Sequence, residues 1–148
     1  MKNILVTGGA GYIGSILVPM LLQRGYKVRV LDNLMYGGKS LLPCFAYPDF
    51  EFMRGDVRKI EDLRTALEDM DAIVHLAAIV GFPACKKHPQ LAEEVNHQAT
   101  VLLEGLRHDR PMIYASTGSN YGALTDDVCT EETPLNPLTI YGKTKTAA

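Results

Sequence analysis

The sequence predicts an α/β fold, a doubly wound parallel sheet with helices on both faces, over a single domain at residues 1–148. Strand-like apolar runs alternate with helical patterns along the chain, which is typical of this architecture. A glycine-rich turn at 7–14 follows the first strand-like run, and a carboxylate, Asp32, ends the second. With 47% hydrophobic and 22% charged residues, the chain can bury a sizeable core.

The first half of the chain accounts for three strands and two helices. Apolar and β-branched runs predict strands at 3–7, 27–31 and 50–53. Apolar residues at helical spacing predict helices at 13–24 and 60–70. Pro19 lies inside the first helix and favours a kink. Glycine and proline residues in 33–49 predict a loop.

The second half adds two strands and two helices. The almost wholly apolar run at 72–76 is typical of a buried parallel strand, and 112–115 predicts a fifth strand. Helices are expected at 89–106 and from 138 onward. Glycine and proline residues predict that 79–89 and most of 116–138 are loops.

The glycine-rich turn has the spacing of a Rossmann-type dinucleotide site, with Gly8, Gly11 and Gly14 between a strand and a helix. Gly8 and Gly9 permit the tight turn, because they lack a Cβ. Gly11 lets a phosphate approach the backbone, and Gly14 lets the helix pack against the strand. The N–H groups at the start of the helix then attract the pyrophosphate.

Asp32 indicates which dinucleotide is bound. It lies 18 residues after Gly14, close to the spacing of the carboxylate that bonds the adenosine ribose hydroxyls. A carboxylate at that place repels a 2′-phosphate, so NAD is favoured over NADP. The alternative is that Asp32 and Asn33 only open a polar loop.

Composition excludes several other classes of protein. The net charge is −2 and no basic block occurs, so neither nucleic acid nor an anionic membrane is expected as a partner. No apolar run approaches the ~20 residues that span a bilayer, and no signal-peptide pattern appears. Three widely spaced cysteines (Cys44, Cys85 and Cys129) favour reduced thiols in a cytoplasmic protein. The four histidines show no metal-ligand pattern, so no metal is expected.

An ordered set of motifs resembles the extended short-chain dehydrogenase/reductase superfamily, and within it the NAD-dependent nucleotide-sugar epimerase/dehydratase family, including UDP-glucose 4-epimerase-like enzymes. The motifs are Thr7 to Gly14, Asp32-Asn33, Gly55-Asp56-Val57-Arg58, His75-Leu76-Ala77-Ala78, Asn96, Ser116-Thr117, Tyr121-Gly122 and Tyr141-Gly142-Lys143-Thr144-Lys145. Each motif alone is weak, but their common order across the whole chain makes chance agreement implausible.

The resemblance implies a role at the cofactor for many residues. They are Gly8, Gly11, Tyr12, Ile13 and Gly14 around the pyrophosphate, Asp32 and Asn33 at the adenosine ribose, Asp56 and Val57 at the adenine, Leu76, Ala77 and Ala78 along the dinucleotide, and Asn96, Ser116, Tyr141 and Lys145. Two alternatives stay open here: 76–78 as plain core packing, and Asn96 as a solvated helix residue.

The resemblance also implies a catalytic set of Thr117, Tyr141 and Lys145. Tyr141 and Lys145 are four residues apart, so they share one helix face, and the ammonium stabilises a phenolate that acts as a base. Thr117 would bond the sugar oxygen that changes oxidation state, with Ser116 as the neighbouring candidate. The alternative for the Tyr–Lys pair is an ordinary exposed helix face.

The implied reaction is NAD-dependent epimerisation of a nucleotide-diphosphate sugar through a transient keto-sugar. Dehydratase relatives carry an Asp-Glu pair after the threonine, whereas this chain has Gly118 and Ser119, which argues against dehydration. A reductase of the same superfamily and a non-catalytic NAD-binding module remain alternatives. The loop at 79–89 is expected on the substrate side.

Length is the main departure from the family pattern. Family members continue beyond the Tyr–Lys helix with further strands and a smaller substrate domain, whereas this chain ends three residues after Lys145. We therefore expect 1–148 to be an incomplete, truncated Rossmann-type NAD-binding domain that lacks the C-terminal substrate domain and is inactive alone. The resemblance implies a homodimer in the full-length enzyme, formed through the helices at 89–106 and from 138 onward.

Overall fold

A computed structural model describes residues 2–123 and 128–148, and within these ranges five strands form one parallel sheet. The strands are β1 (Asn3–Thr7), β2 (Lys27–Asp32), β3 (Phe50–Arg54), β4 (Ala72–His75) and β5 (Met112–Tyr114). Their order in the sheet is β3-β2-β1-β4-β5, and every neighbouring pair is parallel. The predicted parallel α/β sheet is confirmed.

Five helices lie between strands in the described part of the chain, and a sixth follows the last strand. Their bounds are α1 (Gly14–Gln23), α2 (Ile60–Leu67), α3 (Phe82–Lys87), α4 (Pro89–Glu93), α5 (Ala99–Leu106) and α6 (Ile140–Ala147). The chain divides into two compact units, one of Met1–Ala77 with Leu102–Ala115 and one of Ala78–Val101 with Ser116–Ala148. The first unit contains the sheet with α1 and α2, and the second contains α3, α4 and α6. No helix in the described part of the chain is long and apolar enough to cross a membrane.

One face of the sheet is covered by α1 and by a 3-10 segment at Lys39–Ala46. This core consists of Ile4, Val6, Val28 and Val30 from the sheet, Val18 and Leu22 from α1, and Leu41 and Cys44 from the 3-10 segment. The segment lies where the sequence predicts a loop. Its two buried residues are three apart, and a 3-10 helix places such residues on one side.

The opposite face of the sheet packs against α2. Arg29 lies between Val28 and Val30, so its side chain points away from the α1 face. Its Nη1 donates to the carbonyl oxygens of Thr65 at 3.2 Å, Ala66 at 3.1 Å and Glu68 at 2.8 Å. These carbonyls lie at the end of α2, where backbone acceptors lack full intrahelical partners, although that of Thr65 also accepts from the N–H of Glu68 at 3.3 Å. Arg29 therefore fixes α2 to the sheet, and the two helices on opposite faces make the fold doubly wound.

Two helical regions differ from the sequence-based prediction, whereas Pro19 lies inside α1 as expected. Helix α3 occupies the predicted loop at 79–89. The predicted long helix at 89–106 is present but contains a π-helical turn at Glu94–Gln98 between α4 and α5. π-Helical turns are rare, and many of those that occur lie at functional sites. This one carries a completely buried side chain, Asn96.

Replacing Arg29 with Met should destabilise the fold. The substitution keeps an unbranched side chain but removes the Arg29 donor from three carbonyls at the end of α2. We expect the free energy of unfolding, measured in urea, to fall by about 1–3 kcal/mol. The matched control is Arg64→Met, which removes an exposed arginine from α2 itself. An equal effect of the two substitutions would contradict this role for Arg29.

Candidate functional site

The turn after β1 is held against the segment that follows β4. Gly8 has a positive φ of 70°, and its N–H donates to the carbonyl of Leu31 at 2.9 Å. A Cβ on Gly8 would lie 2.6 Å from the backbone nitrogen of Ala77 and 2.7 Å from its Cα. No side chain fits there without moving the backbone. The structure thus brings Gly8 together with Leu76 and Ala77, three of the residues predicted to line the dinucleotide.

The start of α1 presents the groups expected of an anion site. A Cβ on Gly14 would overlap the carbonyl oxygen of Gly9, so Gly14 packs closely against the turn itself. Tyr12 is 93% exposed and Ile13 is 56% exposed. Within the described ranges, no hydrogen bond uses the backbone N–H of either residue. These two donors are available to a pyrophosphate.

Asp32 binds the glycine-rich turn as well as its own loop. One carboxylate oxygen accepts from the N–H of Ala10 at 3.0 Å, and the other accepts from the N–H of Leu34 at 2.8 Å. A carboxylate oxygen has a second lone pair, so these bonds leave acceptor capacity for ribose hydroxyls. The ribose contact itself stays a prediction. The structure adds a role for Asp32 that its spacing from Gly14 does not indicate.

The residues predicted for the adenine lie beside those predicted for the ribose. The Nδ2 of Asn33 is 3.5 Å from Oδ2 of Asp56, and Val57 is buried. Arg58 donates to the Asp56 carboxylate from Nη2 at 2.7 Å and from Nε at 3.0 Å. The hydrogen bond from the Arg58 side chain is the main cause that lowers the pKa of Asp56 to about 2. Asp56 is therefore an ionised acceptor. No role was predicted for Arg58, and the only signal in the sequence for its pairing with Asp56 is its place two residues later.

A buried polar pair supports the end of β4. Thr7 Oγ1 and His75 Nδ1 are 2.6 Å apart, and both side chains are buried. The ring of His75 stacks on Tyr114 with a centroid separation of 5.9 Å. Thr7 Oγ1 also accepts from the N–H of Ala77 at 3.4 Å. No pattern in the sequence predicts this role for Thr7 and His75, which link β1, β4 and β5 just before the predicted cofactor residues.

In the second unit, the two predicted hydroxyls lie at a 3-10 turn at Gly118–Tyr121. Thr117 Oγ1 accepts from the N–H of Ser119 at 3.2 Å and caps this turn. Ser116 Oγ accepts from Nδ2 of Asn120 at 2.8 Å. Asn120 is buried and was missed, because a single asparagine in a predicted loop gives no signal of burial.

Helix α6 packs tightly against that turn. Thr139 Oγ1 caps the helix by accepting from the N–H of Gly142 at 3.0 Å. A Cβ on Gly142 would lie 2.7 Å from the carbonyl oxygen of Ser119, so a larger residue would push α6 away. Tyr141 and Lys145 lie one turn apart on this helix. The structure therefore holds the helix of the Tyr–Lys pair beside the turn that Thr117 caps.

Lys145 is buried, with 4% of its surface exposed. Burial lowers the pKa of its ammonium to about 8, because desolvation disfavours the charged form. At neutral pH the group is still mainly protonated. A charge in such surroundings acts more strongly on a neighbouring group than one in water.

Asn96 is completely buried in the π-helical turn, so the alternative of a solvated helix residue is wrong. Its Oδ1 accepts from the N–H of Ile79 at 2.8 Å, and its Nδ2 donates to the carbonyl of Ile79 at 3.0 Å. Nδ2 also donates to Thr144 Oγ1 in α6 at 3.2 Å. Asn96 thus links the residue after Ala78 to the helix of the Tyr–Lys pair. A direct contact of Asn96 with the cofactor stays a prediction.

Metal ligation has no support among the side chains that the structure describes. In residues 2–123 and 128–148, no group of three or more His, Cys, Asp or Glu side chains could hold a metal ion.

Cys44 and Cys85 are buried free thiols, whereas Cys129 is exposed. Cys85 donates from Sγ to the carbonyl of Ile79 at 3.3 Å, and burial raises its pKa.

Comparison with protein families gives a match over residues 4–148 to the family described as "NAD dependent epimerase/dehydratase family". Among curated relatives, the UDP-glucose 4-epimerase of Halalkalibacterium halodurans is 37% identical over 149 residues, which is 97% of this chain and 43% of that protein. The UDP-glucose 4-epimerase of Corynebacterium glutamicum is 32% identical over 97% of this chain and 43% of its own length. The chain spans less than half the length of these two relatives.

Solved structures agree with this match. The UDP-Glc/GlcNAc 4-epimerase of Campylobacter jejuni is similar with a TM-score of 0.92 at 31% identity, over 99% of this chain and 46% of that one. The dTDP-glucose 4,6-dehydratase DesIV of Streptomyces venezuelae, solved with NAD bound, has a TM-score of 0.92 at 34% identity, over 99% and 49%. The UDP-glucose 4-epimerase of Thermus thermophilus in complex with NAD has a TM-score of 0.88 at 33% identity, over 99% and 48%.

The buried ammonium of Lys145 should make stability depend on pH. Unfolding exposes this group, and its pKa returns to the ordinary value of about 10.4. Between about pH 8 and pH 10 the unfolded chain then binds more protons than the folded chain, so the free energy of unfolding rises with pH. We expect wild type to gain stability relative to Lys145→Met across this interval, measured by urea unfolding. The exposed Lys143→Met is the control, and a flat difference for Lys145→Met would contradict the burial effect.

Proposed function

Because the chain belongs to the NAD dependent epimerase/dehydratase family and its cofactor is NAD, as the sequence predicts, we propose that it serves the epimerisation of a nucleotide-diphosphate sugar. In this reaction a sugar hydroxyl is oxidised to a keto group, which is then reduced from its other face. The observation that carries the proposal is the packing of α6, with Tyr141 and Lys145, against the turn capped by Thr117. Similarity to the UDP-glucose 4-epimerases described above supports it.

Each member of the catalytic set has a distinct role in the proposal. Tyr141 removes the proton from the sugar hydroxyl and later returns it. Lys145 stabilises the phenolate form of Tyr141, and its buried ammonium is poorly screened. NAD, when bound, supplies the chemistry of accepting a hydride from the sugar carbon and giving it back.

Thr117 binds the sugar oxygen that changes oxidation state. Its Oγ1 already accepts the N–H of Ser119, which leaves its own hydroxyl hydrogen available as a donor. A donor at that oxygen suits both the hydroxyl and the keto form. Ser116 is held by Asn120 in the same way and is the neighbouring candidate.

The proposed cofactor contacts follow the sequence-based roles. The N–H groups of Tyr12 and Ile13, together with Gly8, Gly11 and Gly14, face the pyrophosphate. The remaining contacts are Asp32 and Asn33 at the ribose, Asp56 and Val57 at the adenine, 76–78 along the dinucleotide, and Asn96 as an indirect support through Ile79. The unused donors at the start of α1 and the ionised Asp56 are the observations of this structure that fit NAD.

Epimerisation is favoured over dehydration by the residues after Thr117. Gly118 has no side chain, and Ser119 supplies neither a carboxylic acid nor a carboxylate for eliminating water. Dehydratases are nevertheless among the similar structures, so the distinction rests on these two positions. The intact set of Thr117, Tyr141 and Lys145 argues against a purely NAD-binding module.

The chain covers less than half of the relatives named above, and we propose that residues 1–148 alone do not turn over. The resemblance assigns the contacts to the nucleotide-sugar to a smaller domain of the family members. Homodimerisation, a cytoplasmic location and the description of 1–148 as an incomplete NAD-binding domain remain predictions.

Calorimetric titration tests the choice of cofactor. Wild type should bind NAD more tightly than NADP, because the Asp32 carboxylate repels a 2′-phosphate. Asp32→Asn removes this charge and keeps an oxygen acceptor for Ala10, so affinity for NADP should rise about 5- to 10-fold. Glu68→Gln removes an exposed carboxylate elsewhere and is the control. Tighter binding of NADP by wild type would overturn the assignment.

A chimaera tests the catalytic set. Residues 1–148 would replace the equivalent segment of the Halalkalibacterium halodurans UDP-glucose 4-epimerase, and UDP-galactose formation would be measured. Tyr141→Phe should lower kcat by about 100-fold or more, since it removes the base. Lys143→Met, in the same helix but exposed, should leave kcat unchanged. Full turnover by Tyr141→Phe would contradict the mechanism. Turnover by residues 1–148 alone would contradict the proposal that they do not turn over without the rest of the enzyme.

A further inference from the structure

We propose that Ser40 is a positioning residue for the pyrophosphate of NAD, acting through the backbone of the glycine-rich turn. The inference rests on the proposed NAD binding by Gly8–Gly14. Ser40 Oγ donates to the carbonyl oxygen of Ala10 at 2.8 Å. Ser40 lies in the 3-10 segment at Lys39–Ala46, in a part of the sequence that the family motifs do not include.

The bond from Ser40 fixes one particular peptide group. The peptide between Ala10 and Gly11 has its carbonyl held by Ser40 at 2.8 Å and its N–H held by the carbonyl of Gly8 at 3.1 Å. Without a Cβ, Gly11 gives little steric resistance to a rotation of this peptide. A flip would reverse the peptide dipole in a turn whose N–H groups are to attract an anion. Holding both ends of the peptide prevents that reversal.

The preceding peptide of the turn is also held by a side chain. The N–H of Ala10 belongs to the Gly9–Ala10 peptide and donates to Asp32 at 3.0 Å. Two successive peptides of the turn are thus fixed by residues that follow or end β2. Downstream of them lie Tyr12 and Ile13, whose N–H groups make no hydrogen bond within the described ranges. The orientation of these donors depends on the peptides before them.

Ser40 is itself rigidly placed. The next residue, Leu41, is 2% exposed, and Cys44 is fully buried. Both pack in the core with Val18 and Leu22 of α1. The burial of this segment against α1 therefore holds the Ser40 hydroxyl in place beside the turn from which α1 begins.

Ligands with and without a diphosphate separate this role from a general structural one. ADP-ribose contains the diphosphate, whereas adenosine contains only the groups that meet Asp32, Asn33 and Asp56. For Ser40→Ala we expect the Kd of NAD and of ADP-ribose to rise about 3- to 10-fold, with the Kd of adenosine unchanged. Ser40→Thr keeps a hydroxyl and should restore the affinity. Leu42→Ala, two residues away and exposed, is the matched control.

The outcomes distinguish the inference from the proposed function. Wild type that fails to bind NAD contradicts the proposed function and this inference with it. Wild-type binding together with unchanged binding by Ser40→Ala overturns the role of Ser40 alone. An equal loss of adenosine and ADP-ribose affinity also overturns it, because a loosened adenosine site would weaken both ligands. The ratio of the two affinities within each folded variant is unaffected by a change in its thermal unfolding temperature.

Discussion

The close approach of Gly8 to the backbone of Ala77 is the constraint on which the first unit depends. β1 and β4 are neighbours in the sheet, so the segments after them must leave the same edge without colliding. A distance of 2.6 Å from a Cβ on Gly8 to the Ala77 nitrogen leaves room for hydrogen alone. The Thr7–His75 pair fixes the same two strands one residue earlier. Geometry at this edge thus requires the glycine before any ligand is considered.

In the second unit, a few polar side chains and one glycine position α6. Asn96 bonds both backbone groups of Ile79 and also Thr144, while Gly142 allows contact with the turn at Ser119. Buried polar groups of this kind are costly unless every partner is present. The arrangement therefore favours one position of the helix over near alternatives. Because Tyr141 and Lys145 lie on α6, their positions are fixed with it.

The sequence was sufficient where a periodic pattern coincides with burial. Alternation within 27–31 and the spacing of the glycines indicate the sheet, the turn and α1. The 3-10 segment was missed because Gly37, Gly38 and Pro43 signal a loop, although Leu41 and Cys44 are buried three residues apart. Asn96 was placed on a helix, but its burial depends on Ile79 and Thr144, which are distant in sequence. Hydrogen-bond partners that are brought together only by tertiary packing produce no local pattern in the sequence.

The π-helical turn at Glu94–Gln98 also limits how this protein can change in length. Its hydrogen bonds run from i to i+5, so the turn holds one residue more than an ordinary α-helical turn. A single-codon deletion in 94–98 would return the turn to ordinary helical winding and carry Asn96 away from Ile79 and Thr144. Length variation among functional variants should therefore avoid this stretch.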